Sequence, residues 1–162
     1  MIMRTALALA ILASPAAAEL TVSFVDSAPK DIFEISYVGT CPLPAETLRI
    51  DIGTAPAGLI FDTTASGAGV QVFQPFELVA GATLLTEMPV ILDGDTIITL
   101  PLTGLNSGDV IRFTIDVDDT TSSRQITVSG SKMAGASAAL GPSAAAFGAD
   151  GIARIETPGC FG

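Results

Sequence analysis

The sequence predicts an all-β domain, a two-sheet antiparallel sandwich with an immunoglobulin-like look. Three observations predict it. Apolar and polar residues alternate with period two along most of the chain, while helical spacing at i, i+3, i+4 and i+7 is hard to find beyond the first eighteen residues. The alternating runs recur about every ten residues, separated by Gly, Pro, Asp and Ser. The chain has 162 residues, 49% hydrophobic and 15% charged, which suits one globular domain able to offset its ordering entropy by burial.

Residues 1–18 read as a signal peptide. Arg4 gives a positive start, an apolar run follows, Ser14 and Pro15 break it, and Ala16, Ala17 and Ala18 form an A-x-A cleavage site. Secreted or periplasmic localisation is expected, with residues 19–162 as a single β-sandwich domain. The apolar run is shorter than the roughly 20 residues that span a bilayer, so no membrane span is expected.

The strands are expected at 20–25, 32–38, 47–52, 70–73, 89–92, 96–102, 109–119 and 125–128. The clearest is 109–119, where Ile111, Phe113, Ile115 and Val117 face a core while Val110, Arg112, Thr114, Asp116 and Asp118 face the other side. Asp93-Gly94 between two apolar runs is a two-residue hairpin signal. Phe24, Phe33, Phe61, Phe73, Phe76 and Phe113 are the expected large core residues, since the chain has no tryptophan. Residues 131–151 are mostly Ala, Gly and Ser, which reads as thin edge strands joined by turns or as a mobile loop.

Charge and composition exclude several functions. The 17 acids against 7 bases give a net charge of −10, and removing Arg4 with the leader makes it −11. Nucleic acid and anionic lipid are poor partners for such a surface. The absence of histidine removes the commonest general base and the usual zinc and haem ligands. No enzyme is expected. A carboxylate-based glycosidase needs two acids about 5 Å or 6.5–9.5 Å apart and a cleft, for which a small sandwich with short loops has little room.

Cys41 and Cys160 are the two cysteines. In an oxidising compartment they predict one disulfide, worth about 5 kcal/mol for a loop of this length if unstrained.

One constellation carries chemistry. Asp116, Asp118 and Asp119 end the clearest strand, and Asp26 and Asp31 lie in an early turn. Asp116 and Asp118 share a face, about 6.6 Å apart along the strand. Calcium takes 6–8 oxygens at about 2.3–2.6 Å, so Asp26, Asp31 or turn carbonyls have to complete the set. Two readings stand side by side: a calcium site at an acidic pole, or solvated turn aspartates, which turns favour unaided.

The stretches Phe24-Val-Asp-Ser-Ala-Pro-Lys-Asp31, Gly58-Leu-Ile-Phe-Asp62, Val72-Phe-Gln-Pro-Phe-Glu77 and Gly108-Asp-Val-Ile-Arg-Phe-Thr-Ile-Asp-Val-Asp-Asp-Thr120 resemble secreted bacterial proteins labelled after the aggregation factor core protein of sponges. The resemblance implies an extracellular, adhesive, calcium-linked β-sandwich and carries over no catalytic site. Where that family often has Glu, this chain has Asp26.

The first functional expectation is therefore a secreted, non-catalytic structural or adhesive module, with a cell-surface partner or a second copy of itself, monomeric or weakly oligomeric. Sheet edges guarded only by Lys30 and Lys132 favour self-association, and the acidic charge opposes it. The alternative is an extracellular or periplasmic module that binds a sugar or peptide in a groove at 73–77. Gly67-x-Gly69 has no helix after it and is not read as a phosphate loop.

Overall fold

Leu20, Val22 and Phe24 alternate with Glu19, Thr21 and Ser23, and Phe33, Ile35 and Tyr37 alternate with Glu34 and Ser36. Each set lines one face of a strand, and the apolar faces are buried. The computed structural model describes residues 18–69, 73–121 and 128–158. Within them lie ten strands: β1 Ala18–Val25, β2 Asp31–Val38, β3 Thr47–Asp51, β4 Leu59–Asp62, β5 Glu77–Ala80, β6 Ile97–Pro101, β7 Val110–Asp119, β8 Ser137–Leu140, β9 Ser143–Ala146 and β10 Ile152–Thr157.

They form two antiparallel sheets. One runs β10-β1-β2-β7-β4, with β5 also paired to β7, and the other runs β6-β3-β8-β9. The order β1-β2-β7-β4 against β3-β8-β9 repeats the ABED and CFG sheets of an immunoglobulin sandwich. β10 extends the first sheet beside β1, and β6 extends the second beside β3, although β6 follows β4 in sequence.

The core between the sheets is built around Phe33. Its ring stacks on Phe113 across the β2–β7 pair with centroids 5.0 Å apart, and meets Phe24 and Phe61 edge-on at 5.2 and 6.4 Å. Leu48 and Ile50 of β3 and Ile98 and Leu100 of β6, all fully buried, supply the opposite sheet's side of the core.

Several expectations need correction. Residues 89–92 form no strand. The chain bridges Leu85 to Leu102 and then leaves the sheet, and Pro89 has no N–H with which to continue a ladder. Val90 is 86% exposed as a result. Asp93-Gly94 does form a turn, with Gly94 at φ 80° and Asp95 closing it onto Leu92, but only its far side leads into a strand, β6. Phe73 is exposed rather than in the core, whereas Phe76 packs on Phe113. The expected strands 70–73 and 125–128 fall partly on 70–72 and 125–127, outside the described residues. Phe73 and Val128 are not in strands. Residues 131–151 are not a loop, and β8 lies inside its sheet rather than at an edge. Ala138 of β8 pairs directly with Ala145 of β9, and Gly141-Pro142 turns the hairpin with Gly141 at φ 52°.

Candidate metal centre

Pairing β4 with β7 places Asp62 opposite Asp116 and Ile60 opposite Asp118. Residues opposite one another in an antiparallel pair share a face, and Asp118 lies two residues beyond Asp116 on that face. Leu59 and Phe61 point into the core, so Asp62 points away from it, beside Asp116 and Asp118. Carboxylate oxygens of these three lie within 4.8 Å of one another.

Of the two readings, that of solvated turn aspartates does not describe Asp116 and Asp118. Asp62, Asp116 and Asp118 are 2%, 8% and 2% exposed. A strap lies against them, its described parts being 63–69 and 73–76. The Gln74 N–H donates to the Asp62 carbonyl and the Gln74 carbonyl accepts from the Asp116 N–H, tying the strap's return to both strands. Gly69 rests directly on the carboxylates: a Cβ there would lie 2.2 Å from Asp62 Oδ2 and 2.5 Å from Asp118 Oδ2, so only glycine fits. Asp93 pins the strap's other end by accepting the N–H groups of Ala68, Thr63 and Thr64 at 2.5, 2.8 and 3.0 Å. Gly67 is required there too, because a Cβ would overlap the Asp93 carboxylate.

Burying like charges together raises their proton affinity. Burial pushes the Asp116 carboxyl up to about 7, with Asp118 and Asp62 adding repulsion. Asp62 is pushed up to about 6 by burial, by a hydrogen bond shared with Asp93 and by the Asp118 charge. Asp93 is held below the usual carboxylate range, chiefly by the Ala68 N–H. Asp62 Oδ1 is buried and has no hydrogen-bond partner among the described residues.

Of the five predicted ligands, the structure brings together Asp116 and Asp118. Asp31 is close enough to feel the Asp116 charge, and burial raises its carboxyl to about 7. Its two oxygens accept the N–H groups of Ser27 at 3.3 Å and Val117 at 3.1 Å, so it fastens the start of β2 to β7. Asp26 is exposed. Asp119 falls on the core-facing side of β7, where Lys132 pairs with it at 2.7 Å and Thr121 donates to it. The physical reason is the strand period: Asp119 is an odd step from Asp118 and points to the opposite face. The expected Cys41–Cys160 link falls on Cys160, outside the described residues.

Asp62 is the member of the cluster that the sequence reading does not include. The signal was present in Leu59-Ile-Phe-Asp62, a short alternating run ending in Asp like the run that ends β7. What sequence could not supply is the register that sets the two ends side by side.

An all-carboxylate set suits hard cations that prefer oxygen, calcium and magnesium, over zinc, which favours nitrogen and sulfur. No family model, no curated protein and no solved structure matches the chain.

Proposed function

We propose that this chain is a secreted, non-catalytic structural or adhesive module whose strap is locked to the sandwich by calcium at Asp62, Asp116 and Asp118. The observation that carries the reading is the buried Asp62 Oδ1, which has no hydrogen-bond partner among the described residues and lies in a cluster with two further buried carboxylates. Like charges buried together with an oxygen left unpartnered are unfavourable, and a divalent cation both neutralises and ligates them. The acidic surface, the lack of histidine and the exposed apolar residues Met88, Val90 and Leu92 support an adhesive role over catalysis. The resemblance to the sponge-type aggregation proteins points the same way.

The test is thermal melting of the full chain in chelator and then in millimolar calcium. At a free concentration 100-fold above Kd, a ligand of the folded state adds about 2.7 kcal/mol, a rise of several degrees. Asp118→Ala should abolish the rise, and Asp26→Ala, at an exposed position off the cluster, should keep it. A wild type that does not respond, or an Asp118→Ala protein that responds like wild type, ends this reading.

A further inference from the structure

The outer faces of the two sheets differ in charge. Pairing across β6, β3, β8 and β9 sets Thr99, Arg49, Ala139 and Ala144 in one line and Ile97, Asp51, Ser137 and Ala146 in the next. Leu48, Ile50, Ile98, Leu100 and Ala138, between them in sequence, are buried in the core, so by strand alternation both lines face outward. Most of their side chains are small, and their two charged members, Arg49 and Asp51, pair with each other at 2.9 Å. The outer face of the other sheet presents Glu19, Glu34, Glu77 and Glu156 against Arg112 and Arg154. In a chain of net charge −10, the two lines across β6-β3-β8-β9 thus carry no net charge.

An apolar margin adjoins this face. Thr86 donates its N–H to the Pro101 carbonyl at 2.9 Å, and Asp95 donates to the Leu92 carbonyl at 3.0 Å, so residues 86–101 form a hairpin tied at both ends. Counting inward from either tie sets Met88 level with Thr99 and Val90 level with Ile97. Among the described residues, no backbone hydrogen bond joins the two arms between the ties. Met88, Val90, Leu92 and Ile97 are all exposed, and they are four of the nine large apolar side chains so exposed among the described residues. Such clustering marks a surface that a partner covers.

We propose that this face, with the apolar margin on its β6 side, is where two copies of the chain associate, face to face about a two-fold axis. Charge singles out a second copy as the occupant. The acidic face of the other sheet meets its own like charge on a second copy, which opposes contact there. On the β6-β3-β8-β9 face a two-fold axis brings Arg49 of each copy toward Asp51 of the other, the reciprocal match that an isologous interface uses. The margin supplies the apolar area that leaves water. Size sets the strength. Five chain segments about 4.8 Å apart span roughly 20 Å, and 88–92 runs about 13 Å. That footprint is below the roughly 800 Å² per partner of a standard interface, so the association is weak and reversible. Glu87 and Asp95 stand at the margin, and cations that screen them favour the contact. The proposal rests on the adhesive reading of the module and is independent of the metal centre.

Two exposed valines give a matched pair of probes, Val90 in the apolar margin and Val38 on the outer face of the other sheet. Val90→Lys and Val38→Lys each add one positive charge and lower the overall repulsion equally. In sedimentation velocity of the full chain in millimolar calcium, wild type should shift reversibly from monomer to dimer as protein concentration rises. Val38→Lys should associate as well as wild type or better, whereas Val90→Lys should weaken the association about tenfold or more. Ala139→Lys, at the centre of the face, should weaken it likewise, and Val90→Lys decides alone where Ala139→Lys folds poorly. A wild type that stays monomeric overturns the proposal, as does a Val90→Lys protein that associates like Val38→Lys. Loss in Val90→Lys but not in a folded Ala139→Lys places the contact at the β6 edge and overturns the face-to-face arrangement. The melting response to calcium reads the metal centre separately: Val90→Lys should keep it, and its absence from a wild type that still associates through Val90 ends the metal reading and supports this surface.

Discussion

Asp31, Asp62 and Asp116 each hold a proton in the folded protein well above the pH at which an unfolded aspartate loses it, near 3.9. As pH rises from about 4, the unfolded chain releases these protons while the folded one keeps them, so the contribution of these groups to stability is largest in acid. It is lost progressively until pH passes about 7. In chelator, the urea midpoint should therefore fall between pH 5 and pH 7.5, by a stability difference of roughly 1–3 kcal/mol. The proposed calcium, bound to the deprotonated cluster, should flatten or reverse that fall. A midpoint that rises with pH in chelator would contradict the burial of these carboxylates. Gly69 gives a sharper residue-level test. Gly69→Ala has to push the strap off Asp62 and Asp118, so it should leave the sandwich folded and reduce the calcium-induced rise in melting temperature to a small fraction of the wild-type rise. Asp93→Ala removes the acceptor of three strap N–H groups and should destabilise the protein by about 1–3 kcal/mol, read by the same denaturation.

Among the elements, β7 organises the most. It pairs with β2 along one side and is shared along the other by β5 and β4, which take successive stretches of the same edge. Phe33, stacked across the β2–β7 pair, is where that arrangement is most sensitive to volume: Phe33→Ala should cost about 3–5 kcal/mol in urea unfolding, against a small effect for Val90→Ala on the exposed stretch. The strands that sequence reveals are those with long alternation and bulky inward residues, β1, β2 and β7. β8 and β9 are nearly silent because Ala and Ser supply no contrast between faces. β4 has only four residues, too few for a period to declare itself. The candidate site divides in the same way. Asp116 and Asp118 are legible from one strand's pattern, but Asp62 joins them through pairing across a gap of more than fifty residues, and the close approach of Gly69 to Asp62 and Asp118 follows from the tertiary arrangement.

Taken as a whole, the molecule combines a net charge of −10 with exposed Met88, Val90 and Leu92 on a stretch outside both sheets. Acidic repulsion opposes association of copies at low ionic strength, and divalent ions screen and bridge acidic surfaces more effectively than sodium. An adhesive role predicts that sedimentation velocity detects larger species in millimolar calcium than in sodium chloride of matched ionic strength, with chelator restoring the small species. Identical profiles in the two salts would leave the module without its proposed means of association.

The pairing of Ala18 with Thr157 also governs the order in which the chain becomes a protein. β1 acquires its second neighbour only after residue 157 has been made, and β2 waits for the partner that β7 supplies some eighty residues downstream. Closing such distant pairs is slow, because the entropy of the intervening loops is lost before the contacts return it. The first sheet is therefore sealed last by the strand made last.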